Sequence, residues 1–142
     1  GGGDGGGGGG CLLASYAMES FGLAQDAPQR QFFTRLAKLF LARYPETGMR
    51  QLVLYQRVAK QILAKLVAAP AEVQTDVQKR IYAEVIAPTG AKLDASEVDA
   101  TRRRLVVMTV SLANQFSVPI PLDQLRQIAK RPPKPLVARR AA

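Results

Sequence analysis

Residues 48–68, GMRQLVLYQRVAKQILAKLVA, form the most regularly patterned stretch of the chain. Apolar side chains recur there every three or four residues, which places them along one side of an α-helix. This predicted apolar stripe consists of Leu52, Tyr55, Ala59, Ile62, Leu63 and Leu66. The opposite half of the helix is predicted to carry bases, namely Arg50, Arg57, Lys60 and Lys65. Because an apolar helix side must be covered by other elements, this stretch predicts a helical bundle.

Proline and glycine divide the rest of the chain into further segments with helical spacing. Pro45 ends the preceding helix, since the residue before a proline resists the helical conformation. Pro70 opens the next helix, and a turn at 88–90 (Pro-Thr-Gly) ends it. The predicted helices span about 11–24, 27–44, 48–68, 70–87, 95–116 and 121–130. The sequence therefore predicts an all-α fold, a single compact bundle of five or six helices.

The helix predicted over about 95–116 has apolar residues on more than one side. Its main stripe consists of Val98, Thr101, Leu105, Met108, Leu112 and Phe116, while the other side carries Val106, Val107 and Val110. A helix that is apolar all round is typical of the centre of a bundle. We therefore expect this helix to be central, with Leu105 and Leu112 as core residues.

Two segments of biased composition flank the predicted helical domain, which covers residues 11–130. Residues 1–10, GGGDGGGGGG, have almost no side chain to bury and predict a disordered Gly-rich linker. Residues 131–142, RPPKPLVARRAA, combine proline with arginine and predict an extended, disordered, basic tail.

Composition excludes most catalytic chemistry that depends on imidazole or thiolate groups. The 142 residues include no His, no Trp and one Cys, so neither a Ser-His dyad nor a Cys-rich zinc site can form. We therefore expect no enzymatic activity, no cofactor and no metal. No apolar run approaches the twenty or so residues of a membrane span. No signal peptide is visible, and one Cys cannot form a disulfide within the chain, which favours an intracellular or organelle interior.

Charge is the strongest functional signal. Lys and Arg number 20 against 11 Asp and Glu, which gives a net charge of +9. Such an excess predicts an anionic partner, which could be nucleic acid, lipid headgroups or an acidic protein face. The residues predicted to contact it are Arg50, Arg57, Lys60, Lys65, Arg103, Arg104, Lys130 and Arg131. Two of them also have acids within helical reach, since Arg103 is four residues from Asp99 and Arg104 lies on the same side as Glu97.

Three classes of function are compatible with this sequence. The first is a non-enzymatic helical interaction module, a subunit or adaptor of a larger assembly that docks through basic helix faces. The alternative is a protein that binds RNA or DNA through phosphate contacts. A third class, which the composition favours less than the other two, is an enzyme that works without His and uses Lys, Arg and carboxylates. The dependence of affinity on salt concentration distinguishes the first two classes, because phosphate binding weakens steeply as the salt concentration rises.

Overall fold

The computed structural model describes residues 12–22, 27–89 and 95–124 of the chain. In that part it contains α1 (Leu12–Ser20), α2 (Pro28–Arg43), α3 (Gly48–Val67), α4 (Ala71–Ile81), a π-helical turn (Tyr82–Ile86) and α5 (Ala95–Gln115). No strand occurs among the described residues, and the predicted compact all-α fold is confirmed. The predicted linker 1–10, the predicted tail 131–142 and most of the helix predicted over 121–130 lie outside them, as do Lys130 and Arg131.

The boundary between α2 and α3 is a tight turn. The Tyr44 amide donates a hydrogen bond to the Phe40 carbonyl (2.9 Å), and the Gly48 amide donates one to the Tyr44 carbonyl (2.7 Å). Pro45 follows at once and cannot continue the helix. A Cβ atom on Gly48 would lie 3.1 Å from Cδ2 of Leu41, so the missing side chain lets the start of α3 approach the end of α2.

A single apolar core joins the five α-helices. Each helix contributes a side chain that is at most 2% exposed, the examples being Leu13, Phe33, Ile62, Ile81 and Leu112. With no disulfide possible within the chain, the burial of such side chains is the main favourable contribution to folding.

α3 and α5 run parallel to each other. The Arg102 Nε atom donates to Gln51 Oε1 (3.0 Å), and the Lys65 Nζ atom donates to the Phe116 carbonyl (2.8 Å). In both contacts the two residues are 51 positions apart in the chain. A constant separation means that the two helices advance in the same direction. Val58 lies midway between Gln51 and Lys65 on the same side of α3 and is buried.

The buried side of α3 is therefore turned toward α5, away from the centre of the predicted stripe. Ala59, Ile62 and Leu66 are fully buried as predicted, and Leu54 and Val58 join them. The other three residues of the predicted stripe, Leu52, Tyr55 and Leu63, also pack against the core but are only half-buried.

The predicted central position of α5 is also wrong. Leu112 is fully buried as expected, but Leu105 is half-buried, and Val106 and Val107 are 45% and 65% exposed. α5 makes its main contacts with α2, α3 and the π-helical turn, which leaves its remaining side uncovered. The apolar composition of α5 did not indicate which side of the helix would be exposed to solvent.

Candidate functional site

Arg50, Arg57 and Lys60 lie together on the exposed side of α3, as the sequence predicted. Arg57 follows Arg50 by seven residues and precedes Lys60 by three, so the three side chains leave the helix in similar directions. They form no hydrogen bond or ion pair with any residue in the described ranges. No Asp or Glu occurs between residues 47 and 71, so α3 itself supplies no acid to neutralise them.

Exposed apolar side chains share this face, which the charge pattern alone did not reveal. Met49, Val53 and Val67 are 58%, 45% and 61% exposed. Together with Lys60 they are spaced by four, seven and seven residues, so they lie on one line along α3. Projecting the sequence of α3 onto a helical wheel would have shown these apolar side chains on the same half as the bases. We call these side chains together with Arg50 and Arg57 the outer face of α3.

Lys65 faces a different direction. Its Nζ atom donates hydrogen bonds to the carbonyl oxygens of Phe116 (2.8 Å) and Ser117 (3.4 Å), immediately after the end of α5. Carbonyls at a helix C-terminus lack partners within the helix and carry a partial negative charge, which a lysine satisfies. The structure thus gives Lys65 a role in the fold and separates it from the outer face.

A pair of matched substitutions distinguishes these two lysines. We expect Lys65→Met to lower the free energy of unfolding by about 0.5–1.5 kcal/mol, the usual contribution of such a hydrogen bond. Lys60→Met removes an exposed cation without a described partner and should change it by less than about 0.5 kcal/mol. Urea unfolding followed by circular dichroism measures both. Equal losses from the two variants would contradict the assignment.

Arg104 also has partners within the fold. Its Nη2 atom donates to Glu97 Oε2 (2.9 Å) and to Thr101 Oγ1 (3.1 Å), and Thr101 Oγ1 donates to the same Glu97 oxygen (3.1 Å). The proximity of Arg104 to Glu97 follows their spacing on α5, as the sequence indicated. Arg103 remains exposed on the other side of the helix.

The predicted pairing of Arg103 with Asp99 is wrong, because Arg43 of α2 occupies that carboxylate. Arg43 donates through Nε to Oδ1 (2.7 Å) and through Nη2 to Oδ2 (2.6 Å), and the Tyr44 hydroxyl donates to Oδ1 (3.2 Å). Two parallel bonds from a rigid guanidinium in a half-buried place are stronger than an exposed pair on one helix. Arg103 contributes only a longer-range attraction to Asp99.

This ion pair shifts the pKa of both partners. Hydrogen bonds from Arg43 hold the pKa of Asp99 below its usual value, and burial opposes them. The hydrogen bond to Asp99 raises the pKa of Arg43 in turn. The guanidinium of Arg102 lies 5.4 Å from the centre of the Tyr44 ring, which adds a cation–π contact to the same cluster. The cluster joins the end of α2 to the start of α5.

Within residues 12–22, 27–89 and 95–124, no group of three or more His, Cys, Asp and Glu side chains is placed to hold a metal ion. No helix in that part of the chain is long and apolar enough to cross a membrane. No protein-family model matches the sequence, and neither a curated protein nor a solved structure matches it. Geometry and charge alone therefore define the candidate site as the outer face of α3.

Proposed function

We propose that the protein is a non-enzymatic helical interaction module, a subunit or adaptor of a larger assembly, which docks onto an acidic protein surface through the outer face of α3. The observation that carries the proposal is the set of three exposed cations, Arg50, Arg57 and Lys60, that have no partner among the described residues. Like charges on one helix face repel one another, and an acidic partner converts that repulsion into attraction.

Other bases of the protein support the fold, which sets the outer face apart. Arg43 is bound by Asp99, and Arg104 is bound by Glu97. Lys65 donates to a carbonyl group after the end of α5. Arg80 is held by Gln115 (3.0 Å) and Ser111 (2.9 Å). These interactions tie those side chains to the fold, whereas the outer-face cations Arg50, Arg57 and Lys60 have no partner among the described residues and remain available to another protein.

The exposed side of α2 provides a comparison within the same molecule. It also carries exposed cations, Arg35 and Lys38, but the exposed residues around them are polar or small, such as Gln31, Thr34 and Ala42. This pattern is typical of a helix side that faces only solvent. The outer face of α3 adds exposed Met49, Val53 and Val67 to its cations, and apolar side chains beside charged ones are typical of protein interfaces.

Site-specific photo-crosslinking in the native cells tests this proposal. A photoreactive amino acid replaces Ala64, which is exposed on the outer side of α3, and in a control it replaces Ala42, which is also exposed but lies on α2. We expect a nuclease-resistant protein adduct from position 64 and not from position 42. The adduct should disappear when Arg50, Arg57 and Lys60 are all changed to Gln. The same adduct from both positions, or no adduct, would overturn the proposal.

Nucleic-acid binding is the second candidate, and the net charge of +9 favours it. The same three cations would then neutralise phosphates. A nuclease-sensitive adduct from position 64 would support this candidate over the first. The slope of log affinity against log salt should in that case become shallower by about 0.7–0.9 for each phosphate that the triple Gln variant no longer neutralises.

A further inference from the structure

The outer face of α3 has the spacing of a coiled-coil seam. Residues that alternate at intervals of four and three along it are Met49, Val53, Gln56, Lys60, Leu63 and Val67. These are the successive d and a positions of a seven-residue repeat. Met49, Val53, Lys60 and Val67 are exposed, while Gln56 and Leu63 are half-buried. Leu63 packs partly against the protein's own core, whereas Met49, Val53, Lys60 and Val67 remain open to a partner, in a pattern that helices use to pair.

The cations of the outer face occupy positions that control pairing in such a repeat. Arg50 and Arg57 are seven residues apart and each directly follows a d position, which makes both of them e positions. Side chains at e form ion pairs with the neighbouring helix and determine which partner is accepted. Lys60 is the one charged residue on the line itself, and a single polar residue there sets the register of the partner.

The width of the apolar line argues for a helix as the occupant. A helix that inserts into a lipid surface presents an apolar sector of 100° or more, whereas a seam of a and d positions is narrower. Here Lys60 interrupts the apolar line and Arg50 and Arg57 border it. Phosphates would engage these cations but would leave Met49 and Val53 uncovered by any apolar group.

Charge argues against α3 of a second copy as the occupant. A second copy of α3 would bring Lys60, Arg50 and Arg57 against cations of the same kind, which is unfavourable. The segments outside the described ranges contain few acids, namely Asp4, Asp26 and Asp94, and residues 125–142 contain none. Exposed acids also occur on α4, at Glu72 and Asp76, but no large exposed apolar side chain accompanies them there. We therefore assign the acids that complement the outer face to another protein.

We infer that the outer face of α3 pairs with an acidic amphipathic helix of a partner protein, packed along it as in a two-stranded coiled coil. This inference rests on the proposed function and names the partner's chemistry. The partner helix carries apolar residues opposite Met49, Val53 and Val67, an acid opposite Lys60, and acids along the edge that faces Arg50 and Arg57. From Met49 to Val67 the paired region extends about 27 Å, or five helical turns.

Three labelled probes test the inference by fluorescence anisotropy. The first is a synthetic 21-residue peptide with Leu at a and d, one Glu at the central a position, and Glu at e and g. The second has the same composition in scrambled order, and the third is a 20-nucleotide single-stranded RNA. We expect the patterned peptide to bind the full-length protein at least tenfold more tightly than the scrambled peptide at 150 mM salt. Equal affinity for both peptides, or tighter binding of the RNA, would overturn the inference.

Protein variants separate the apolar from the ionic contribution. Met49→Gln with Val53→Gln keeps every charge and should weaken binding of the patterned peptide tenfold or more. Lys60→Glu should weaken it similarly, and a peptide with Lys in place of its central Glu should restore the binding of that variant. The control variant, Arg35→Gln with Lys38→Gln and Lys79→Gln, removes three exposed cations of α2 and α4 and should bind as wild type.

The outcomes distinguish this inference from the proposed function. If the crosslink from position 64 depends on Arg50, Arg57 and Lys60 but the Met49/Val53 variant binds the patterned peptide like wild type, the docking surface stands and the helical partner is wrong. If the crosslink forms equally from position 42, the docking surface itself is wrong. Circular dichroism of each variant confirms that weaker binding does not come from unfolding.

Discussion

Replacing Leu112 with Ala is expected to lower the free energy of unfolding by about 2–5 kcal/mol. Leu112 is fully buried on α5, in the core that the five helices share. The substitution removes apolar packing and leaves a cavity, because surrounding helices relax only partly. Urea unfolding at neutral pH, monitored by circular dichroism, measures the change.

Val107→Ala is the matched control for this prediction. Val107 lies on the same helix but is 65% exposed, so its truncation should change the free energy of unfolding by less than about 0.5 kcal/mol. Leu105→Ala should fall between the two, since Leu105 is half-buried. A small effect at Leu112 together with a large one at Val107 would mean that α5 packs with its opposite side against the core.

Replacing Asp99 with Asn is expected to lower the free energy of unfolding by about 1–2 kcal/mol at neutral pH. The side chain keeps its size but loses the charge that holds Arg43 through two hydrogen bonds of 2.7 and 2.6 Å. Both side chains remain partly accessible to water, at 16% and 22% exposure, so the effect is smaller than for a fully buried ion pair. A change below about 0.3 kcal/mol would show that the ion pair does not support the fold.

The same ion pair predicts a dependence on pH. The folded protein holds the pKa of Asp99 below its usual value, so this carboxylate stabilises the fold at every pH above its unfolded pKa of about 4. Its contribution is lost as the pH falls through the lower, folded pKa. The difference in unfolding free energy between wild type and Asp99→Asn should therefore shrink as the pH is lowered from 7 to below 3. A difference that stays constant would contradict the assignment.

α3 connects stability with the proposed docking. Its inner side buries Ile62 and Leu66 in the core, and its outer side presents Arg50, Arg57 and Lys60. Because the outer cations lack partners among the described residues, their removal should leave stability unchanged or slightly higher while binding is abolished. Stability and binding are therefore expected to respond to different residues of one helix.

Local sequence determined the class of fold and much of its outline. The spacing of apolar residues, together with Pro28, Pro45 and Pro70, located α1 to α5 within a few residues of their observed bounds. Helical periodicity also placed Arg50, Arg57 and Lys60 on one exposed face. These features depend on residues close together in the chain, and the geometry of a single helix relates them without knowledge of any neighbour.

Tertiary structure decided which sides of the helices are covered and which charges are paired. Val107 is exposed because α5 is not enclosed on every side, and Asp99 is held by Arg43, which lies 56 residues away. Lys65, which the sequence grouped with the outer cations, reaches carbonyl groups after α5 because α3 and α5 are parallel neighbours. Interactions between helices depend on how the helices are arranged around the core, and a periodic pattern within one helix carries no information about that arrangement.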